Sequence, residues 1–199
     1  MRMVFRLCIL LNFFCLSTFS IAADSPQTLD LSRPTHPPPA KLSELQEAIL
    51  NSDESKVREL IANGADVNES KGLNIIPLLL AINIKNISIF DMLDQSGAGG
   101  KFSTATWSCL FVKAVGVDSL PLAKRILKHG ADPLFECDQT PLAVAASDEM
   151  RNFLFSLGAN PRQKGGNFGQ LDALQQRSFW GDAAGVRYLL KRLNTTNKN

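Results

Sequence analysis

The 199-residue sequence has few of the side chains on which most enzyme active sites depend, with 2 histidines, 4 cysteines and 1 tyrosine. It has no glycine-rich phosphate loop, no HExxH pattern and no paired-cysteine zinc pattern. A serine or cysteine nucleophile usually needs a histidine close by as its base. His36 lies in a proline-rich stretch, and His129 ends a predicted helix beside Lys128, where a cation is favoured. We therefore expect a protein that is not an enzyme, with no catalytic residue, no cofactor and no metal.

The sequence also lacks a marked excess of charge of either sign, since it has 21 lysines and arginines and 19 aspartates and glutamates. Arg2 and Arg6 lie in a segment that is predicted to be removed, which leaves a neutral chain. General nucleic-acid binding needs a clear excess of basic side chains, so we expect no nucleic-acid partner. The charges are nevertheless uneven, because residues 24–98 carry 11 acids and 6 bases while residues 99–199 carry 8 acids and 13 bases. This polarity could orient a partner, or each charge could simply be solvated.

Long apolar runs are scarce, and the most prominent lies close to the N-terminus. A short basic segment precedes the apolar residues 7–16, and the small residues Ala22 and Ala23 follow. This order is typical of a secretory signal peptide. An uncleaved anchor is the alternative, but the apolar run is shorter than the ~20 residues that a membrane-spanning helix needs. We therefore predict a cleavable signal peptide over residues 1–23, and a periplasmic or secreted protein without a membrane span after cleavage.

Residues 24–40 form the next segment, which contains the sequence Arg-Pro-Thr-His-Pro-Pro-Pro. Prolines fix the backbone and remove hydrogen-bond donors, so this composition predicts an extended tether rather than a packed structure. A proline-rich ligand for some partner is the alternative. Residues 41–199 remain as the predicted folded domain.

The predicted domain repeats with a period of about 33 residues. The dipeptide Gly-Ala closes four segments whose apolar residues recur every three or four positions, at Gly64, Gly97, Gly130 and Gly158. This spacing is typical of one face of a helix, and a glycine just after it can adopt the left-handed conformation that ends a helix. Small residues recur in the segments before them, at Ala48, Ala81, Ala114 and Ala145. The pattern predicts successive pairs of helices that pack closely.

Two further motifs carry a family resemblance. Thr140-Pro141-Leu142 opens one helix, and the closing glycines continue as Gly-Ala-Asp at Gly64 and at Gly130. With the alanine pattern, these motifs resemble the ankyrin repeat over about residues 41–193. The resemblance implies an all-α solenoid of about five helix–turn–helix units with short inter-repeat β-hairpins. It also implies a scaffold that binds other proteins, although the fold alone does not identify them.

The sequence departs from the family pattern in three places. The third unit begins with Cys109 where threonine-proline-leucine is expected. The fourth unit lacks about five residues between Ala146 and Met150, which shortens its inter-helix turn. The fifth unit has Arg177 where alanine is usual and Leu193 where the closing glycine is expected. Since terminal repeats commonly deviate, we interpret the fifth unit as a cap.

Removal of the signal peptide would leave Cys109 and Cys137 in an exported, disulfide-permissive protein. Cys109 begins a first helix, and Cys137 lies in the hairpin that leads to the next unit. Because consecutive ankyrin units stack side by side, the two cysteines could form a disulfide. The alternative is two separate, half-buried thiols that serve as small apolar residues.

Aromatic residues also follow the period. Phe102, Phe135 and Phe168 are spaced by 33 residues, and Trp107 lies near the first of them. In the ankyrin register the three phenylalanines fall in successive inter-repeat hairpins. Large aromatic side chains often anchor protein interfaces, so we predict that these four residues bind a partner protein, with Trp107 the most exposed. The alternative is that the rings simply pack on one another along the row.

Together these features predict a non-enzymatic protein-binding module of the bacterial periplasm, which recognises a partner through the hairpins and first helices. The bacterial assignment depends on the signal peptide, because ankyrin-repeat proteins of eukaryotes are mainly cytosolic. Two alternatives stay open. One is a structural subunit of an envelope or secretion-system assembly, and the other is an exported virulence factor that binds a host protein.

Overall fold

The structure is a computed structural model, and it describes residues 42–70, 75–135, 137, 139–164 and 171–196. All of these residues belong to the compact unit Pro38–Asn199. The predicted signal peptide and tether, and Phe168, lie outside the described residues.

The described residues form ten helices that follow one another in five pairs. The bounds are α1 Glu44–Leu50 and α2 Glu54–Ala62, α3 Pro77–Asn83 and α4 Ile87–Gln95, α5 Thr104–Gly116 and α6 Leu120–Leu127, α7 Pro141–Val144 and α8 Asp148–Ser156, and α9 Ala173–Phe179 and α10 Ala183–Thr196. The all-α prediction is confirmed for this part of the chain. The predicted β-hairpins are not confirmed, since the described residues contain one isolated antiparallel bridge, between Lys164 and Asp172, and no strand.

The helices pack in a regular order. The two helices of each pair contact each other, and the first helices contact in the sequence α1, α3, α5, α7, α9. The second helices α2 and α4 also contact each other. This arrangement is consistent with the ankyrin-like helical stack that the sequence predicts.

The recurring alanines lie in the interior of the stack. Ala48 is 6% exposed, and Ala81, Ala114 and Ala145 are fully buried. Larger apolar side chains share this core, and Phe90 and Phe111 are the largest that are completely buried. Burial of one such side chain stabilises the fold by about 1.5–3 kcal/mol.

The helix ends follow local rules that the sequence shows. Polar side chains accept hydrogen bonds from the first turn of most helices, and the residues are Ser43, Asp53, Asn86, Ser103, Thr140, Ser147 and Asp172. Each such cap is worth about 1 kcal/mol. The glycine of each Gly-Ala dipeptide has a positive φ, for example +84° at Gly64, whose neighbour Ala65 donates its N–H to the Leu60 carbonyl at 3.0 Å. The predicted glycine helix ends are therefore confirmed.

The turns inside the pairs hold a repeat that the sequence analysis missed. Ser52, Lys85 and Asp118 are spaced by 33 residues and have φ of 57°, 57° and 56°. Residues other than glycine rarely adopt this left-handed backbone conformation. In the last pair Gly181, with φ of 73°, holds the same place between α9 and α10.

Candidate protein-binding surfaces

The loops between helix pairs form one candidate surface, which we call the loop edge; its described residues are 63–70, 96–103, 128–135, 137, 139 and 157–164. The same local turn shapes three of these loops. The side chains of Asp66, Asp132 and Asn160 each accept a hydrogen bond, at 2.9 Å, from the backbone N–H two residues further on. Such turns are a characteristic use of aspartate and asparagine, and they fix the backbone without a β-ladder.

The second loop lacks this aspartate, and a neighbouring loop supplies the missing contact. Gly99 donates its backbone N–H to Oδ1 of Asn68 at 2.8 Å, and Nδ2 of Asn68 donates to the Gly97 carbonyl at 3.4 Å. In a similar way Nε2 of Gln163 donates to the Leu134 carbonyl at 3.3 Å. Side chains therefore tie consecutive loops together.

Trp107 lies beneath this edge rather than on it. Its side chain is 5% exposed, and its ring stacks on that of His129 with centroids 4.0 Å apart and planes 8° apart. The Phe102 ring lies 5.5 Å away, and a Cβ atom at Gly99 would come within 2.6 Å of the indole. The expectation that Trp107 is the most exposed aromatic is therefore wrong, because the missing side chain of Gly99 leaves room for the indole to pack inside.

The phenylalanines of the loop edge are only partly covered. Phe102 is half-buried and packs against the hydrophobic core, and Phe135 is also half-buried. Phe135 lies in a loop that is attached to α5 at two points. Ser108 Oγ accepts the Asp132 N–H at 2.8 Å, and Cys109 is placed as a disulfide partner of Cys137 with Cα atoms 5.3 Å apart. This Cα separation lies within the range for a disulfide.

His129 has a second contact that ties neighbouring pairs together. Its Nε2 lies 3.1 Å from Oδ2 of Asp94 in α4, and both side chains are about 30% exposed. From the sequence, His129 was predicted only as a cation at a helix end. The contact with Asp94 joins the second pair to the third at the loop edge, to which His129 itself belongs.

The shortened fourth pair is completed by arginines. Helix α7 has only 4 residues, and Ala145 after it is extended with ψ of 113°, which leaves carbonyl groups without helical partners. Nη2 of Arg177 donates to the Ala145 carbonyl, and Nη2 of Arg151 donates to the Ala146 carbonyl at 2.8 Å. The arginine that replaces the usual alanine in the fifth unit thus satisfies a group that the deletion in the fourth unit exposes.

Asp182 compensates the charges of these two arginines. Its Oδ2 lies 2.8 Å from Arg177 Nη1 and 3.4 Å from Arg151 Nη2, and its Oδ1 accepts the Gly185 N–H at 2.9 Å. The Gly185 hydrogen bond, followed by the two arginine charges, lowers the pKa of Asp182. Burial, followed by the charge of Arg151, lowers the pKa of Arg177. The network ties the fourth pair to the fifth, and we interpret it as structural.

A groove lies between α6 and the start of α8, with a volume of about 510 Å³. The basic residues Lys124, Arg125 and Lys128 line it, together with the acidic Glu149. Arg125 is already engaged, because its Nε and Nη2 lie 2.5 and 2.9 Å from the Asp91 carboxylate. One of the three basic side chains at this groove therefore serves to join α4 and α6.

The exposed apolar surface lies elsewhere. Among the described residues, the large hydrophobic side chains with high exposure are Phe179 at 69%, Trp180 at 54% and Leu190 at 43%. The rings of Phe179 and Trp180 meet edge to face with centroids 5.3 Å apart. They were not predicted as a site from the sequence, because they do not follow the 33-residue period. The sequence feature that could have indicated them is a pair of adjacent aromatic residues directly before the Gly181-Asp182 turn.

Two other kinds of site were sought within the described ranges. No helix there is both long and apolar enough to cross a membrane. No group of three or more histidine, cysteine, aspartate or glutamate side chains there is arranged to hold a metal ion.

Comparison with known proteins gives one informative similarity, and no family model matches the chain. The chain is 28% identical over 109 residues to the ankyrin repeat, SAM and basic leucine zipper domain-containing protein 1 of Notamacropus eugenii. The alignment covers 52% of this chain and 23% of that protein, so the chain spans less than a quarter of its relative. The similarity supports an ankyrin-type repeat and, with it, a protein–protein interaction module.

Proposed function

We propose that the chain is a non-enzymatic protein-binding module of the bacterial periplasm, which contacts a partner protein through the loop edge and the first helices. Three observations support this proposal. The chain is similar to an ankyrin-repeat protein, its first 23 residues have the pattern of a signal peptide, and its helices stack in the order that an ankyrin scaffold requires.

The observation that carries the proposal is that contacts within the chain already hold the loop edge in place. Phe102 and Phe135 are half-buried, and the loops that hold them are fixed by Asn68, by the Asp132 turn and by the Cys109–Cys137 pair. A surface that is already ordered loses less conformational entropy when it binds, so it gains affinity for a given contact area. We propose that the disulfide forms in the exported protein and holds Phe135 in its binding position.

The test compares the wild type with one double and one single alanine variant in the native host. After mild crosslinking, the tagged wild-type chain, a Phe102→Ala/Phe135→Ala variant and a Phe155→Ala control are recovered from separate periplasmic and membrane fractions. Phe155 is a partly buried aromatic on α8, and its ring stacks on Tyr188 of α10 rather than on a residue of the loop edge. We expect one partner protein to accompany the wild type and the control, and to be lost from the loop-edge variant while its circular dichroism is unchanged.

Binding of the purified partner is then measured by calorimetry, so that co-purification is not the only criterion. A large envelope complex that the loop-edge variant retains would contradict the proposal and favour a structural subunit. A chain that remains in the cytoplasmic fraction would contradict the periplasmic assignment. A Cys109→Ser/Cys137→Ser variant that binds as tightly as the wild type would show that the disulfide does not position Phe135 for binding.

A further inference from the structure

The last helix pair exposes an apolar surface that the loop edge does not include. We call Phe179, Trp180 and Leu190 the aromatic end. All three are more than 40% exposed, whereas the other large hydrophobic side chains of the described residues are buried or half-buried. Phe179 and Trp180 contact each other edge to face, and exposed apolar groups that lie together usually mark a contact surface.

The charge around the aromatic end is positive. Arg187 and Lys191 are exposed and lie one turn apart on α10, on the same face as Leu190. Neither forms a hydrogen bond or ion pair with another described residue. The acidic residues of this pair are already engaged, since Asp182 lies between two arginines and Asp172 caps α9. A partner for this surface must therefore offer negative charge and room for an aromatic ring.

The first helix pair has the complementary chemistry. Residues 42–70 contain 7 acids and 2 bases. Glu44, Glu47 and Asp53 line a groove of about 200 Å³ together with Ala48, Asn51 and Lys56, and we call it the acidic groove because three acids and one base line it. The Glu44 and Glu47 side chains are exposed, and neither carboxylate accepts a hydrogen bond from another residue that the structure describes.

We propose that the chain associates with itself head to tail, with the aromatic end of one copy docked on the acidic groove of a second copy. Arg187 and Lys191 are about 6 Å apart along their helix, and Glu44 and Glu47 about 4.5 Å apart along theirs, so both ion pairs can form together. Three helix pairs separate the two surfaces within one chain, so the contact joins different copies.

A head-to-tail dimer still has one aromatic end and one acidic groove unoccupied, so further copies can bind to it. The mean mass of the full exported chain, measured by light scattering from about 10 µM to about 1 mM, should therefore rise without a plateau at the dimer. The mass should fall when salt is raised from about 0.05 M to about 0.5 M, because the ion pairs are exposed and salt screens them. The emission of Trp180 should shift to shorter wavelength with association, while Trp107 is already buried.

Two variants isolate the two surfaces. A Phe179→Ser/Trp180→Ser variant and a Glu44→Gln/Glu47→Gln variant should each remain monomeric alone, and should form a one-to-one dimer and nothing larger when mixed. A Glu149→Gln control, which removes an exposed carboxylate outside the groove, should associate like the wild type. Circular dichroism establishes that every variant is folded.

The proposal is overturned if the wild type stays monomeric over the whole range, or if it forms a dimer whose mass does not rise further. It is also overturned if the mixed variants do not combine. Binding of the monomer to phosphatidylglycerol vesicles, with a shift of Trp180 emission that phosphatidylcholine vesicles do not cause, would assign the aromatic end to an anionic lipid surface instead. None of these results depends on a partner at the loop edge, so the two proposals stand or fall separately.

Discussion

The aromatic side chains of the loop edge and those of the last helix pair have opposite environments. Phe102 and Phe135 recur with the 33-residue period and are half-buried, whereas Phe179 and Trp180 depart from the period and are exposed. The position of Phe179 at the end of a first helix is held by Leu50, Asn83 and Gly116 in the first three pairs. An apolar side chain that recurs in a stack can pack against the neighbouring unit, as Phe102 packs against the core. Among these four aromatic residues, high exposure is therefore found where the period is broken.

The two tryptophans give the largest test of this comparison. Trp107→Ala should lower the free energy of unfolding by about 3–5 kcal/mol, because it removes a buried ring that packs on His129 and Phe102. Trp180→Ala should change it by less than about 0.5 kcal/mol, as is usual for exposed positions. Urea unfolding followed by far-UV circular dichroism measures both. Equal losses would show that exposure does not separate the two regions.

Gly99 tests why Trp107 can be buried at all. Gly99→Ala should cost about 2–3 kcal/mol, because the new methyl group meets the indole at 2.6 Å and the residue has a φ of +76°. Gly100→Ala is the matched control, since its Cβ would lie no closer than 3.4 Å to another group. The same unfolding measurement applies. Similar stabilities of the two variants would mean that the indole moves readily and is not confined by the second loop.

Asp182 tests the interior of the last pair. Asp182→Asn should cost about 2 kcal/mol at pH 7, because Arg151 and Arg177 would lose the charge that compensates them. The pKa of Asp182 is lowered in the folded chain, so its contribution is complete above the unfolded value of about 3.9 and is lost as the pH falls through the folded value. The difference between wild type and variant should therefore shrink on acidification below about pH 4.

Asp148→Asn provides the control for this pH dependence. Asp148 also contacts Arg151, at 2.6 Å, but its side chain is 64% exposed, so we expect a loss of less than about 1 kcal/mol. If the Asp182 variant kept its full deficit at pH 3, the network would not depend on the aspartate charge. If both variants lost equal stability, burial of the last pair would not strengthen its ion pairs.

Much of the fold follows from features that are local in sequence. The caps, the glycine helix ends and the buried alanines each depend on one residue type at one place in a repeated unit, which a sequence shows directly. The position of Trp107 was not predictable in this way, because it depends on the space left by Gly99 and on a ring from the next helix. The role of Arg177 depends on a carbonyl at Ala145, in a different unit.

The candidate surfaces were predictable only in part for the same reason. The periodic phenylalanines were found because a period is visible in one dimension. The exposure of Phe179 and Trp180 is a property of the packed structure, and no period in the sequence marks it. The uneven distribution of charge was easier to predict, since the acidic excess before residue 99 and the basic excess from residue 99 onward can be counted directly.

The smallest test concerns the turns inside the pairs, where the last pair again differs from the first three. Gly181 has a φ of 73°, and a Cβ there would meet nothing within 4 Å, so Gly181→Ala changes only the backbone preference. The left-handed backbone conformation costs a residue other than glycine about 1 kcal/mol, and we expect Gly181→Ala to lower the free energy of unfolding by that amount. The thermal midpoint and urea unfolding both measure it.

Lys85→Gly is the reverse of Gly181→Ala, because it puts a glycine at the left-handed position of the second pair. Lys85 is exposed and has a φ of 57°, and its side chain forms no hydrogen bond or ion pair with the residues that the structure describes, so Lys85→Gly relieves the same backbone strain. Glycine also gives the unfolded chain more freedom, which opposes the gain, so the net stabilisation should be about 0.5 kcal/mol. If Lys85→Gly destabilised the protein as much as Gly181→Ala does, the left-handed turns of the first three pairs would be held by their side chains. The shared backbone geometry would then not make these four turns equivalent.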